Sequence, residues 1–314
     1  MRKRFLSLLL MMALLLSACG GEAKNTNISD TAVTFTDDLG REVTVDNPQR
    51  VAALLGSFAQ IWQLAGGEVV ATPEDAWKDL NLQLPDDTVN LGHTKRLSLE
   101  LLFASQPDFI LASTNTRQNV EWRETLEATT IPVAYFDVDD FDDYLRVLDI
   151  FTNITGRKDL YEANGTAVQV QIDAVLAWSG ERLDSGDAPT VLCMTASASA
   201  IHAQNSEGNV LGAMLKSLGC INIADSNSLL LENLSIEHIL DSDPDYIFFV
   251  QRGDDEAGMK AYVRQFLLED PAWSRLTAVK DGHVYFLEKT LFNLKPNHRW
   301  GEAYEILEEI LENG

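Results

Sequence analysis

The chain has 314 residues, a net charge of −24 and three cysteines, and nearly half of its residues are apolar. A surface this acidic repels nucleic acid and anionic lipid head groups, so we expect no nucleic-acid partner. Three cysteines are too few for a disulfide scaffold, and the apolar runs around Cys193 and Cys220 favour two buried thiols over a bridge between them.

The first residues have the pattern of a bacterial lipoprotein signal. A basic start at 2–4 precedes an apolar run at 5–16, too short for a permanent transmembrane helix, and Ser17-Ala18-Cys19 follows. This resemblance implies a signal peptide at 1–18 and a membrane anchor through lipid on Cys19; an ordinary signal peptide with an incidental cysteine is the alternative. Residues 19–32 are small and polar, which predicts a flexible tether.

The next segment alternates strand and helix patterns. The run VTFTDDLGREVTV is typical of a hairpin, and RVAALLG, EVVAT, DFILAS and IPVAYFD are typical of short apolar strands with helical runs between them. Strands that are apolar throughout favour a parallel sheet covered by helices on both faces. We therefore predict an N-terminal α/β lobe at 33–155.

A long helix and a second lobe follow. Apolar residues recur at helical spacing through 156–184, although Gly165 costs such a helix about 1 kcal/mol. The strand and helix alternation then restarts at TVLCMTA and continues to HRWGEAYEILEEIL, which predicts a C-terminal α/β lobe at 185–314. The predicted fold class is α/β, with two doubly wound lobes joined by one long helix.

The two lobes share a phrase. SLELLFASQPDFILAS in the first lobe matches SIEHILDSDPDYIFFV in the second, with Ser-x-Glu, a spacer, Pro-Asp and a strand in the same order. Agreement in both order and local structure indicates an internal repeat.

From residue 33 to the C-terminus the chain resembles the periplasmic binding proteins for ferric siderophores, haem and cobalamin. The phrases that carry the resemblance are TFTDDLGREVTVDNPQRVAAL, the two repeated phrases, DPAWSRLTAVKDGHVYFL and KPNHRWGEAYEIL. The resemblance implies a rigid linking helix, a ligand cleft between the lobes, and one acidic residue per lobe that docks to arginines of a permease. The matching positions are Glu100 and Glu237; solvated glutamates at helix N-termini are the alternative.

Ligands of doubly wound sheets lie beyond the carboxyl ends of the strands, and this rule selects the loops of the cleft. Basic residues gathered there would focus an anionic ligand, and aromatic residues could form apolar walls. In the family an arginine often precedes the last helix and faces the cleft, and Arg299 matches it. The predicted ligand-binding residues are Phe58, Trp77, Lys95, Arg96, Arg117, His202, Arg252, Arg299 and Trp300.

These features predict a lipid-anchored substrate-binding component of an ABC importer. It would capture a ferric siderophore or related chelate on the extracellular face of the membrane, or in the periplasm where an outer membrane exists, and deliver it to a permease dimer with its ATPase. Haem or cobalamin binding and a surface sensor without a transport role are the alternatives. We expect no enzyme, since GxSxG, HExxH and GxxxxGK[ST] motifs are missing, and no resident cofactor or metal.

Overall fold

A computed structural model describes residues 31–226, 228–232 and 234–314 of the protein. The predicted signal peptide, Cys19 and nearly all of the tether lie outside the described residues. Within the described ranges, no helix has the length and apolar character needed to cross a membrane.

The N-terminal lobe is built on a parallel sheet. A separate antiparallel hairpin precedes it, formed by β1 (Ala32–Thr36) and β2 (Glu42–Asp46). The sheet strands are β3 (Val51–Ala53), β4 (Val69–Thr72), β5 (Val89–Asn90), β6 (Phe109–Ser113) and β7 (Val133–Phe136). They lie in the order β5-β4-β3-β6-β7 and are all parallel. The helices of this lobe are α1 (Gly56–Leu64), α2 (Asp75–Lys78), α3 (Leu99–Ala104), α4 (Arg117–Glu121) and α5 (Arg123–Glu127).

A helical region connects the two sheets. Helix α6 (Phe141–Thr155) ends at Gly156, whose left-handed backbone (φ 72°) suits glycine. The chain then continues as α7 (Lys158–Tyr161), one π-helical turn (Glu162–Thr166) and α8 (Ala167–Asp184). The long helix therefore starts at Lys158, two residues later than the sequence pattern indicates, because Gly156 terminates α6. We propose residues 155 and 185 as the lobe boundaries.

The C-terminal lobe repeats the plan of the first. Its strands are β8 (Thr190–Ala196), β9 (Ile201–Gln204), β10 (Ile221–Asn222), β11 (Tyr246–Gln251) and β12 (Val284–Leu287). Parallel strands lie in the order β10-β8-β11-β12, and β9 pairs antiparallel with β8. Its helices are α9 (Val210–Ser217), α10 (Ser228–Glu232), α11 (Ile236–Ser242), α12 (Glu256–Val263), α13 (Thr277–Asp281), α14 (Lys289–Phe292) and α15 (Trp300–Asn313).

The largest apolar core extends through both lobes. It includes Phe58 and Trp62 of α1, Cys193 of β8 and Trp300 of α15, all buried. At the same junction the fully buried Asn297 donates hydrogen bonds to the Ser57 carbonyl (3.1 Å) and to Gln60 (2.6 Å). These contacts hold the last segment of the chain against the first lobe.

Both cysteines of the described region are free and buried, as the apolar runs around them predict. Cys193 lies on β8, and Cys220 immediately precedes β10 beside it. Burial raises the pKa of the Cys193 thiol, and burial also raises the pKa of Cys220 to about 11. Two thiols that stay protonated in an apolar setting act as packing groups.

Candidate ligand-binding cleft

A cavity of about 850 Å³ opens between the lobes. Its wall includes Ser57 after β3, Asn115 and Arg117 after β6, and Arg252 after β11. In the first sheet β3 and β6 are the neighbours at which the strand order reverses, and β11 lies beside β8 at the centre of the second. The carboxyl ends of both sheets therefore meet at one cleft, where doubly wound folds place their ligands.

Most residues in the wall of this cavity are charged or polar. Among the described residues, Leu55, Leu80 and Leu294 are the only aliphatic side chains that line it, and His93 supplies the only aromatic ring. Eleven residues of the lining are charged at neutral pH: Glu74, Asp75, Lys78, Asp79, Lys95, Arg117, Glu121, Arg252, Asp254, Lys289 and Lys295. Such a wall suits a polar ligand better than a flat apolar one.

Most of these charges are already paired. Lys78 lies 2.8 Å from Glu74, and Arg117 lies 2.7 Å from Glu121. A third group crosses the cleft, since Lys289 lies 2.9 Å from both Asp79 and Asp254. Asp79 follows α2 of the first lobe, whereas Asp254 and Lys289 belong to the second. The lobes are therefore joined by charge-assisted contacts on this side of the cleft.

Three charged groups of the wall have no ion-pair partner among the described residues: Lys95, Arg252 and Asp75. Asp75 accepts a 3.2 Å hydrogen bond from the Gly56 amide through Oδ2, whereas its buried Oδ1 has no hydrogen-bond partner in the described part of the chain. Burial raises the pKa of Asp75 to about 6. Gly56 makes this approach possible, because a Cβ there would lie 2.6 Å from the Ala76 nitrogen.

His93 lies in the same wall. Its Nδ1 accepts a 3.1 Å hydrogen bond from the backbone amide of Lys95. In a neutral imidazole this bond leaves the proton on Nε2. The neutral ring is thus a donor through Nε2, and coordination of a metal through Nε2 would require this hydrogen bond to break.

Comparison with known proteins matches this architecture. The model of the periplasmic binding protein family matches residues 51–291, which covers both sheets and most of the cleft between them. The chain belongs to the periplasmic binding protein family. The predicted resemblance and the predicted α/β fold with two lobes are therefore confirmed.

Relatives of similar length come from Bacillus subtilis (strain 168). YhfQ, provisionally named an ABC transporter substrate-binding lipoprotein, is 23% identical over 96% of this chain and 94% of its own. YfmC, an Fe(3+)-citrate-binding protein, is 24% identical over 89% of this chain and 87% of its own. Among solved structures, Staphylococcus aureus SirA complexed with staphyloferrin B has a TM-score of 0.68 at 19% identity, covering 89% of this chain and 98% of SirA.

In this periplasmic binding protein, three of the nine predicted ligand-binding residues line the cavity. Lys95, Arg117 and Arg252 lie in its wall, as the carboxyl-end rule indicates. Arg117 points largely to solvent, since its side chain is 91% exposed, and Glu121 neutralises it. Lys95 and Arg252 are the two that remain available to an anion.

The three predicted aromatic residues do not line the cavity. Phe58 and Trp300 are fully buried (0% exposed) and pack edge-to-face on Phe136 and Phe141. Trp77 is partly buried against the same core and does not line the cavity. Each of these rings contributes more by leaving water for the apolar core than it would beside a polar ligand.

The other three predicted residues also lie outside the wall. Arg96 is exposed, and His202 is an exposed residue of strand β9 rather than of a loop. Arg299 forms two 2.7 Å hydrogen bonds with Glu302 on the next turn of its helix. The guanidinium is therefore held by a carboxylate in the first turn of α15, and Arg299 is not among the described residues that line the cavity.

The predicted docking glutamates occupy equivalent positions. Ser98 and Ser235 cap α3 and α11 through their hydroxyls, and Glu100 and Glu237 each lie two residues after the cap. Both glutamates are exposed, and no ion pair of either occurs among the described residues. Glu237 also borders a shallow groove of about 510 Å³ with Asp241, Asp243 and Arg275.

The acidic half of the cleft was missed by the sequence reasoning, which searched for basic and aromatic residues. Asp75 and Asp79 follow β4, and Lys289 follows β12, so the carboxyl-end rule selects these loops too. Across residues 31–226, 228–232 and 234–314, no group of three or more His, Cys, Asp or Glu side chains could hold a metal ion.

Proposed function

We propose that the protein is the substrate-binding component of an ABC importer and captures a ferric siderophore or a related ferric chelate. The observation that carries this proposal is the pair Lys95 and Arg252, one from each lobe, which both line the cleft without a carboxylate partner. An anionic ligand that reached both cations would draw the lobes together around itself. Binding of Fe(3+)-citrate by the relative YfmC supports a carboxylate-rich chelate.

The site of action in this proposal is the outer face of the cell membrane, or the periplasm of a cell with an outer membrane. Lipid on Cys19 would hold the protein there, with the predicted tether at 19–32 leading to the first lobe. The lipoprotein assignment of the relative YhfQ supports this anchor. Palmitate incorporation that is lost in Cys19→Ala would test the anchor separately from ligand binding.

Delivery requires a partner, for which we propose a permease dimer with its ATPase. Glu100 and Glu237 would meet arginines of that permease, one on each lobe. Their matched positions in the two halves of the internal repeat support the assignment, because two fixed charges let a partner sense the spacing of the lobes. The proposal assigns no enzymatic activity to the chain.

Haem and cobalamin are weaker candidates for this cleft. Both present the broad face of a macrocycle, whereas among the described residues of the wall only His93 has an aromatic ring. The hydrogen bond from the Lys95 amide to Nδ1 of His93 also opposes ligation of haem iron through Nε2. A polar, anionic chelate fits the same wall without these conflicts.

Thermal melting of the purified protein tests the proposal. We would compare ferric citrate, ferric hydroxamates, ferric catecholates, haemin and cobalamin, with the iron-free chelators as controls. A ligand at a hundred times its dissociation constant adds about 2.7 kcal/mol of stability. A shift with a ferric chelate supports the proposal, a shift with haemin or cobalamin alone replaces it, and no shift at all opposes iron-chelate binding.

A further inference from the structure

The charged groups of the cleft that lack an ion-pair partner indicate which charges a matching ligand would carry. Four carboxylates of the wall, Glu74, Asp79, Glu121 and Asp254, already pair with a lysine or arginine of the same wall. Asp75 is the fifth carboxylate of the wall and has no such cation among the described residues. Together with Lys95 and Arg252, it leaves one negative and two positive groups for a ligand to match.

The geometry of Asp75 also requires a donor. Its Oδ2 accepts the amide proton of Gly56 at the start of α1, whereas Oδ1 is buried and has no hydrogen-bond partner among the described residues. Burial raises the pKa of this carboxyl by more than the backbone amides of Asp75 and Ala76 lower it. A buried acceptor without a donor costs free energy, and a buried carboxylate costs more. A cationic group of the ligand, such as a protonated amine, would compensate the charge of this carboxylate.

The contact with Gly56 does not by itself require a charged side chain. Capping the amide of Gly56 needs only a side-chain oxygen, which asparagine or serine supplies without burying a carboxylate. The neighbouring Asp79 adds repulsion, because the nearby carboxylate raises the pKa of Asp75 in addition to the larger effect of burial. A group that is costly to the fold and faces a ligand cavity is typical of a binding role.

We propose that Asp75 binds a protonated amine of the ligand, so that the cleft selects a net-anionic ferric chelate that also carries an ammonium group. The acidic groups of the chelate would bind Lys95 on the first lobe and Arg252 on the second. The ammonium would pair with the carboxylate of Asp75 where this residue borders the cavity. This inference rests on the proposed function, since it narrows the ligand class of the same cleft.

The test measures dissociation constants by calorimetry with the full-length protein in detergent and with Asp75→Asn. Two probes are net anionic: ferric petrobactin, which carries secondary amines, and ferric citrate, which has no amine. Two more form a matched pair, ferrioxamine B with its terminal amine and N-acetylferrioxamine B without it. Asp75→Asn retains an oxygen for the Gly56 amide, and Asp87→Asn, an exposed carboxylate outside the cleft, is the control for the change of charge.

We expect the wild-type protein to bind an amine-bearing probe, and Asp75→Asn to weaken that binding at least about tenfold. Asp87→Asn should leave it unchanged, and amine-free chelates should not lose affinity in Asp75→Asn. Binding of amine-free chelates only, or an amine-bearing chelate that binds both proteins equally, overturns the inference and leaves the proposed function standing. No binding of any probe opposes the proposed function and removes the inference with it.

Discussion

Asp108 in the first lobe and Asp245 in the second occupy equivalent positions and make equivalent contacts, each within its own lobe. Asp108 accepts the amide protons of Gln49 (2.8 Å) and Arg50 (2.9 Å), at the entrance to β3. Asp245 accepts the amide proton of Thr190, the first residue of β8, and its hydroxyl proton, both at 2.7 Å. Each aspartate thus fixes the start of the strand that neighbours its own.

We predict that Asp245→Ala destabilises the protein more than Asp108→Ala. Asp245 is half-buried and would leave two donors of Thr190 unpaired, which costs about 1–3 kcal/mol. Asp108 is exposed, so water replaces its contacts and the loss should be about 1 kcal/mol or less. Urea unfolding of both variants measures the order; an equal or greater loss in Asp108→Ala would contradict the role of burial.

The equivalence of these two residues shows how far the sequence alone can lead. The phrase Ser-x-Glu followed by Pro-Asp predicts a capped helix and a strand in each lobe, and both are present. Even the left-handed residues before the prolines match, Gln106 (φ 49°) in one lobe and Asp243 (φ 39°) in the other. Local patterns of this kind depend on neighbours in sequence, which a sequence displays directly.

The cleft depends on contacts that the sequence does not display. Lys289 meets Asp79 from a position 210 residues away, so no local pattern could predict that this lysine is neutralised. The sequence also does not show which side chains are buried. Phe58 lies in the segment after a strand, where ligand-binding residues are expected, yet its ring packs on Phe136 in the core. The carboxyl-end rule therefore selected loops that line the cavity, but only some of the side chains in its wall.

Substitution of the two cleft cations should lower the ligand affinity more than substitution of Arg299, which precedes the last helix. We predict that Lys95→Ala and Arg252→Ala each weaken the binding of an anionic ferric chelate by about tenfold or more, since each removes a charge-assisted contact. Arg299→Ala should change the affinity by less than about threefold, because Glu302 already holds that guanidinium. Calorimetry on the three variants is the measurement. A large loss in Arg299→Ala alone would return this residue to the site and remove the other two.

Substitutions at the predicted docking glutamates should affect contact with the permease without affecting ligand binding. We predict that the double variant Glu100→Arg with Glu237→Arg abolishes chelate uptake by cells and spares the affinity of the purified protein. Both side chains are exposed on helices α3 and α11 and neither lines the cleft, so reversing their charge repels a cationic partner without touching the ligand. Uptake of radioactive iron gives the first readout and calorimetry the second. Uptake at the wild-type rate would show that these glutamates do not dock.

Asp75 should make the protein less stable as the pH rises. Its pKa is raised by burial from 3.8 to about 6 in the folded state, so between these values the folded protein binds more protons than the unfolded chain. The contribution of Asp75 to the free energy of unfolding therefore falls as the pH rises through this window. The full penalty applies above about pH 6 and amounts to at most about 3 kcal/mol.

Asparagine does not titrate, so Asp75→Asn should gain stability relative to the wild-type protein between about pH 4 and about pH 7.5. Chemical unfolding of the ligand-free proteins at both pH values measures this gain in stability. The control variant Asp87→Asn should show no such gain relative to the wild-type protein. A constant difference between Asp75→Asn and wild type would mean that a cation already compensates Asp75 in the ligand-free protein. If the difference in the free energy of unfolding between Asp75→Asn and wild type grows with pH, the ligand-free protein is destabilised by the carboxylate of Asp75. Such a cost is expected for a group that binds a cationic part of the ligand.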